Sequence, residues 1–172
     1  NIRLFKDRSV LDNVATALQQ NLPYPLASAL FHLPPFGATE RRIREESLEL
    51  LGVMGLAGKA DELARNLSYG EQRHLEIARA LATKPRLLLL DEPAAGMNPA
   101  ETSGLTGLIA QLRRDFGLTI LLIEHDMSLV MRICERIYVL DHGIMIAAGT
   151  PDEVRNNPKV IEAYLGEEAP HA

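Results

Sequence analysis

Four consecutive leucines, Leu87 to Leu90, run straight into Asp91-Glu92-Pro93. This stretch restricts the fold more than any other. An apolar run this short, closed by two acids and a proline, reads as a strand buried on both faces. A second buried strand, Thr119 to Ile123, runs into Glu124-His125-Asp126. Between them Asn98 and Pro99 supply an N-cap and a first-turn proline, and the helix they open is expected to end at Gly117. Strand, helix, strand requires a crossover, so the two strands are expected to lie parallel in an α/β sheet with helices on its faces. Ahead of the first strand, Ser68 and Glu71 have capping-box spacing for a helix running to about Ala82, and Pro85 forbids its continuation.

The flanking segments are mostly helical in pattern. Ser9 can cap a helix striped by Val10, Leu11, Val14 and Leu18, with Asp12 near its first turn. Leu22 to Gly37 is an apolar linker interrupted by Pro23, Pro25, Pro34 and Pro35. Thr39 is expected to cap a helix to about Met54, with Ile43, Leu50, Leu51 and Met54 on one side and Gly55 and Gly58 as stops. Met127 to about Arg136 reads as a helix that takes in Cys134. Ile137–Leu140 and Ile144–Ala148 flank Asp141-His142-Gly143 as a hairpin. The tail from Pro151 is helical, with a break near Pro158. Residues 1–66 are therefore expected to form a helical unit, and 67–172 an α/β unit.

Composition removes some classes of function. Hydrophobic residues make up 47% of the chain, enough for a sizeable core. Lys plus Arg number 18 against 23 Asp plus Glu, for a net charge of -5 and no long basic run. The electrostatic footprint of a nucleic-acid binder is missing. Cys134 is the single cysteine, so an internal disulfide is excluded and a reduced compartment is the natural setting. No uninterrupted apolar run reaches the roughly 18 to 20 residues of a membrane helix, and no signal peptide is visible.

Ligands of parallel sheets sit beyond the carboxyl ends of the strands, which directs attention to two places. Asp91 is placed to hold Mg²⁺, since hard cations prefer oxygen. Glu92 is placed to orient or deprotonate a water. His125, at the matching edge of the second strand, is placed to contact a transferring γ-phosphate or polarise the attacking water. In isolation, each is more simply read as a surface residue ending a strand. The helix start at Ser68-Tyr69-Gly70-Glu71-Gln72 presents free N–H groups, a hydroxyl and a glycine, which suits an anion. An ordinary capping box accounts for the same spacing, and Ser68 could serve both roles in different states.

Taken in order, these elements resemble the ATP-binding subunits of ABC transporters. Leu67 to Gln72, with Glu76-Ile77-Ala78-Arg79-Ala80-Leu81 after it, resembles the signature motif and its helix. Leu87 to Pro93 looks like a Walker B strand with its adjoining glutamate. His125 falls where the switch histidine does, and Gly143, Gly149, Pro151 and Glu153 look like the closing hairpin. Glu92 to Pro99 and Val160 to Gly166 are similar to the branched-chain amino acid importer ATPases, as are Asn1 to Val14, which resemble the segment after that branch's Q-loop. Two departures stand out. Tyr69 and Glu71 vary the usual Ser-x-Gly-Gly-Gln, and Met97-Asn98 replaces the usual Leu-Asp of the D-loop.

The resemblance implies a P-loop NTPase-like α/β fold whose parallel sheet is incomplete, with its N-terminal part absent, and which carries an inserted α-helical subdomain. It implies ATP and Mg²⁺ sandwiched between two ATPase subunits. Asp91 would hold Mg²⁺, Glu92 and His125 would be catalytic, and Ser68, Gly70, Glu71 and Gln72 would reach the nucleotide in trans. Asn98 would be the D-loop position. The other implied partners are a transmembrane permease and, indirectly, a periplasmic or extracellular substrate-binding protein, with the subunit on the cytoplasmic face of the plasma membrane. Phe31, Leu33 and Phe36 would touch the permease loops or pack within the helical subdomain.

No G-x-x-x-x-G-K-[ST] motif occurs, and the chain starts at Asn1 rather than Met. A fragment is the expectation. The alternatives are a non-enzymatic truncated product that at most binds a partner subunit, or the ATPase of another ABC system. With no Lys and N–H cradle to anchor a triphosphate, these 172 residues alone are expected to show no ATPase activity. Magnesium-dependent phosphate release by the purified chain, with contaminants excluded, would contradict that.

Overall fold

The computed structural model describes residues 3–21 and 36–168. The proline-rich linker, with Phe31 and Leu33, lies outside the described residues. Helix α1 (Val10–Leu18) starts at Ser9, whose side chain accepts from the Asp12 N–H. It buries Val10, Leu11, Val14, Ala17 and Leu18 against α2 (Phe36–Val53) and α3 (Tyr69–Ala82). The stretch after α2 then folds back along α1: the Val10 N–H donates to the Glu62 carbonyl and the Leu11 N–H to the Ala60 carbonyl, both at 2.9 Å.

Helix α2 begins at Phe36, so Thr39 lies one turn inside it and does not cap it. Threonine in a helix interior costs less than about 1 kcal/mol, too little for its capping preference to decide where the helix starts.

Helix α3 has the anticipated capping box at Ser68 and Glu71. Strand β1 (Leu87–Asp91), helix α4 (Pro99–Phe116) and strand β2 (Thr119–Ile123) follow. Asn98 caps α4 with Pro99 in its first turn, and the helix ends at Gly117 with φ 61°, a left-handed conformation that costs glycine no Cβ clash. β1 and β2 pair in parallel, from Leu87↔Thr119 to Asp91↔Ile123.

The expectation that both strands are buried on two faces fails. Leu88 and Leu90 are buried, but Leu87 is 50% and Leu89 64% exposed, and Leu121 and Ile123 are similarly open. Among the described residues the helices cover one face of this sheet only. Leu88 and Leu90 share a core cluster with Leu75, Ile77, Leu105 and Leu112, while the opposite face meets solvent. Side chains alternate along a strand, so alternate leucines fare differently.

Helix α5 (Met127–Ile133) is shorter than expected and ends at Cys134. Burial pushes the Cys134 thiol up, which suits a packing residue. Strands β3 (Ile137–Asp141) and β4 (Ile144–Gly149) form an antiparallel hairpin in a separate sheet. Its turn places His142 and Gly143 at φ 46° and 81°, the signature of a type I′ turn. Helices α6 (Pro151–Arg155) and α7 (Pro158–Glu168) close the described chain, with the break at Pro158 as anticipated. Val130, Ile137, Ala147, Val154 and Val160 form a second, smaller cluster beneath them. Among the described residues no helix is long and apolar enough to cross a membrane.

Asn13 is fully buried and ties the entry segment to α1. Its Oδ1 accepts from the Phe5 N–H at 2.9 Å, and its Nδ2 donates to the carbonyls of Phe5 at 3.0 Å and Ser9 at 2.9 Å. Asn13→Ala is expected to lower unfolding free energy by about 1 to 3 kcal/mol, because the Phe5 N–H loses its acceptor, while the Phe5 and Ser9 carbonyls keep the Arg8 and Asn13 N–H groups. Asn13→Leu should do no better, although it fills the volume. Urea titration of the variants measures both.

Candidate functional site

Because β1 and β2 are parallel and in register, their carboxyl ends emerge side by side. The ladder continues one residue further, where the Glu92 N–H donates to the Ile123 carbonyl at 2.9 Å. Glu92 then takes φ 42°, a left-handed conformation that costs a non-glycine residue about 1 to 2 kcal/mol. Strain of this kind concentrates where function holds the backbone. The chain turns tightly after it, with the Ala95 N–H on the Glu92 carbonyl and the Met97 N–H on the Ala94 carbonyl.

This turn brings together two of the residues singled out from the sequence. His125 Nδ1 lies 3.4 Å from Glu92 Oε1, and both side chains are exposed. Such a pair contributes little to stability but presents a carboxylate and an imidazole to the same solvent-facing space. Asp91 ends β1, exposed, and with Glu92 and Pro93 lines a 290 Å³ cleft that Arg73 and Glu76 of α3 face from the other side. Among the described residues no three His, Cys, Asp or Glu side chains cluster to hold a metal. A lone hard carboxylate fits Mg²⁺ nonetheless, because that ion keeps waters and takes substrate phosphates for most of its ligands.

At the start of α3, the Ser68, Glu71 and Gln72 side chains are engaged within the chain. Ser68 Oγ accepts from the Glu71 N–H at 3.4 Å, and Glu71 Oε2 accepts from the Ser68 N–H at 2.9 Å. Lys59 Nζ reaches Glu71 Oε1 at 2.7 Å. Lys59 first, then the Ser68 backbone, hold the Glu71 carboxyl below the usual carboxylate range. Gln72 Nε2 donates to the Leu67 carbonyl. Asn98 is engaged likewise: its Oδ1 accepts from the Ala100 and Glu101 N–H groups at 3.0 Å, while Glu101 Oε2 accepts from the Asn98 N–H.

The two helix starts also adjoin. Gly96 has φ 77° and sits under the Tyr69 ring, where an added Cβ would come within 3.5 Å of Cε1. A Cβ at Gly70 would come within 3.8 Å of Glu101 Oε1. Arg73 backs this contact, donating to the Tyr69 hydroxyl at 3.2 Å with its guanidinium over the ring.

Sequence reasoning missed Glu124, whose side chain is only 1% exposed. Its Oε1 accepts from the Ala94 N–H at 2.9 Å and its Oε2 from the His125 N–H at 3.2 Å. A signal was present in the period-2 pattern, since Ile120 and Leu122 point toward the core and Glu124 continues their face. It also missed Asp126, which caps α5 by accepting from the Ser128 and Leu129 N–H groups. The Ser128 hydroxyl, more than the backbone N–H groups, holds that carboxyl low.

A family model described as ABC transporter matches residues 1–95. Another, described as branched-chain amino acid ATP-binding cassette transporter, matches residues 145–170. The chain is 50% identical over 167 residues to the high-affinity branched-chain amino acid transport ATP-binding protein LivG of Salmonella typhimurium, covering 97% of this chain and 66% of that protein. The like-named BraF of Pseudomonas aeruginosa is 47% identical with the same coverage. The chain thus spans 66% of the length of these curated relatives. A solved ATP-binding cassette of an ABC transporter, in its ADP conformation, superposes with a TM-score of 0.74 at 32% identity, over 94% of this chain and 64% of that one.

Glu71 sets an acid sensitivity at the start of α3. Its folded-state value lies below 4.5, so its contribution is present above that value and is lost as pH falls through the depressed one. Between about pH 6 and about pH 3, the urea midpoint should fall further for the native sequence than for Glu71→Gln. Parallel titrations of the two would show equal falls if the Lys59 and Ser68 contacts do not form.

Proposed function

The chain belongs to the ABC transporter ATP-binding family, and on that premise we propose that it is part of a subunit that hydrolyses ATP to drive import of branched-chain, hydrophobic amino acids through a membrane permease. The observation that carries this reading is the meeting of Glu92 and His125, 3.4 Å apart, at the carboxyl edge of a parallel strand pair.

In this reading the nucleotide lies between two ATPase subunits, and the phosphate-binding loop comes from the polypeptide that carries these residues. Glu92 orients the attacking water and takes its proton, a role that needs a carboxylate exposed to the cleft and fixed in direction. The left-handed backbone at Glu92, with its N–H tied to Ile123, supports such fixing. His125 donates toward the transferring phosphoryl group, where charge accumulates. Asp91 would hold Mg²⁺, which when bound neutralises charge on the phosphate oxygens.

From the opposing subunit, Ser68 and the N–H groups at the start of α3 face the γ-phosphate, where an anion suits a helix N-terminus. Glu71 and Gln72 hold that helix start in shape through their contacts to Lys59, Ser68 and Leu67. Catalysis is then positioning plus charge stabilisation, so an open or misaligned pair is inert. Gly96 adjoins Tyr69, and Glu101, which caps with Asn98, adjoins Gly70 within one subunit, so closure of the dimer would move the D-loop and the signature helix together. The permease is the direct membrane partner, an extracytoplasmic substrate-binding protein the indirect one, and the cytoplasmic membrane face the working location. The acidic balance of the chain gives no support to a nucleic-acid partner.

In a subunit that joins this chain to a phosphate-binding loop, Glu92→Gln is expected to lower the ATPase rate by about 10²- to 10⁴-fold. ATP-dependent dimerisation, followed by size-exclusion chromatography, should persist. A Glu92→Gln subunit with normal turnover would remove Glu92 from this role.

A further inference from the structure

We propose that Glu124 is a positioning residue for the hydrolytic pair, bracing the Glu92 turn against the His125 backbone. The inference rests on the reading of Glu92 and His125 given above and deepens it.

Glu124 stands between an exposed apolar residue, Ile123, and an exposed histidine, yet its own side chain is almost fully buried. A carboxylate in that position is costly unless its oxygens find donors. Both do, and on opposite sides of the site. Oε1 accepts from the Ala94 N–H at 2.9 Å, two residues beyond Glu92. Oε2 accepts from the N–H of His125 itself at 3.2 Å, and His125 Nδ1 lies 3.9 Å from the same oxygen. One side chain therefore ties the turn after Glu92, thirty residues earlier in sequence, to the backbone of the adjacent His125.

Two other constraints on the pair are weaker. The Glu92 N–H bond to Ile123 fixes the backbone before the turn but nothing beyond it. The Glu92–His125 contact is solvent-exposed and has little strength of its own. Glu92 also sits in a left-handed conformation that relaxes unless its surroundings hold it. The Ala94 N–H is the next donor after Glu92 bound to anything outside the turn, and its acceptor is Glu124. Anchoring there sets the direction in which the Glu92 carboxylate leaves the strand. Because Ala94 leads into Gly96 and Asn98, the same bond connects the histidine loop to the D-loop segment.

The test uses the complete subunit assembled with its permease, comparing Glu124→Ala, Glu124→Gln and each of these combined with Glu92→Gln. Glu124→Ala is expected to lower kcat by about 10- to 100-fold, as a misplacement of about 1 Å does. The KM for ATP should move less than about threefold, since the lost contact orients the reacting groups and does not anchor nucleotide. Glu124→Gln keeps its carbonyl oxygen for the Ala94 N–H but turns an NH2 donor toward the His125 N–H, and should recover part of the rate. Adding Glu124→Ala to Glu92→Gln should cost little more, because the two act through one step. Amide exchange at Ala94 should speed up in Glu124→Ala and stay slow in Glu124→Gln.

Unchanged kcat in Glu124→Ala would overturn the proposal. So would a fall in kcat matched by a rise in KM and a loss of thermal stability, with no rescue by Gln, since that pattern marks a residue needed only for folding. Should Glu124→Ala not fold, the Gln variant and its double decide: Gln below about a tenth of the native rate with normal Ala94 protection refutes the brace. A Glu92→Gln subunit with normal turnover would instead sink the functional reading, whatever Glu124 does.

Discussion

The parallel pairing of β1 with β2 is the constraint on which the site depends. Five residue pairs in register, from Leu87↔Thr119 to Asp91↔Ile123, place two loops at one edge, and the Glu92 N–H carries the ladder one bond further. The register is set by burial: Leu88 and Leu90 face the helices while Leu87 and Leu89 face out. A slip of one residue would exchange those faces and carry Glu92 away from His125. The same apolar pattern that stabilises the core therefore sets the distance between Glu92 and His125.

Helix caps form the second layer of organisation. Ser68 with Glu71, Asn98 with Glu101, and Thr150 with Glu153 are reciprocal capping boxes, and Asp126 caps α5. The first two adjoin, through Tyr69 against Gly96 and Gly70 against Glu101. Residues read as nucleotide ligands are thus also the ones that satisfy the helix termini. Ser68 Oγ is the acceptor in its 3.4 Å capping bond, so its hydroxyl can donate a charge-assisted bond to a phosphate without giving up the cap.

Much of this was readable from local pattern. The Ser68, Asn98 and Ser9 caps, the Gly117 stop, the parallel strands and the hairpin at His142-Gly143 all follow from steric and hydrogen-bonding preferences that act within a few residues. The failures follow a rule too. Thr39 has a capping side chain, but its preference is too weak to set the start of α2. Leu87, Leu89, Leu121 and Ile123 are as apolar as buried strand residues, yet whether a face is covered depends on what packs against it, and hydrophobicity does not encode that. Glu124 was passed over because a charged residue at a strand end reads as exposed. Its burial depends on two N–H donors that only the folded turn supplies.

The order of motifs and the spacing of caps determined family, element types and the identity of Asp91, Glu92 and His125 as candidates, because those signals are short-range and chemical. The folded chain alone decided that Glu92 and His125 meet at 3.4 Å, that Glu124 lies buried against the Ala94 and His125 N–H groups, and that Tyr69 rests on Gly96. Each of these joins residues far apart along the chain, and distances of that kind are set by packing and strand register rather than by any local preference.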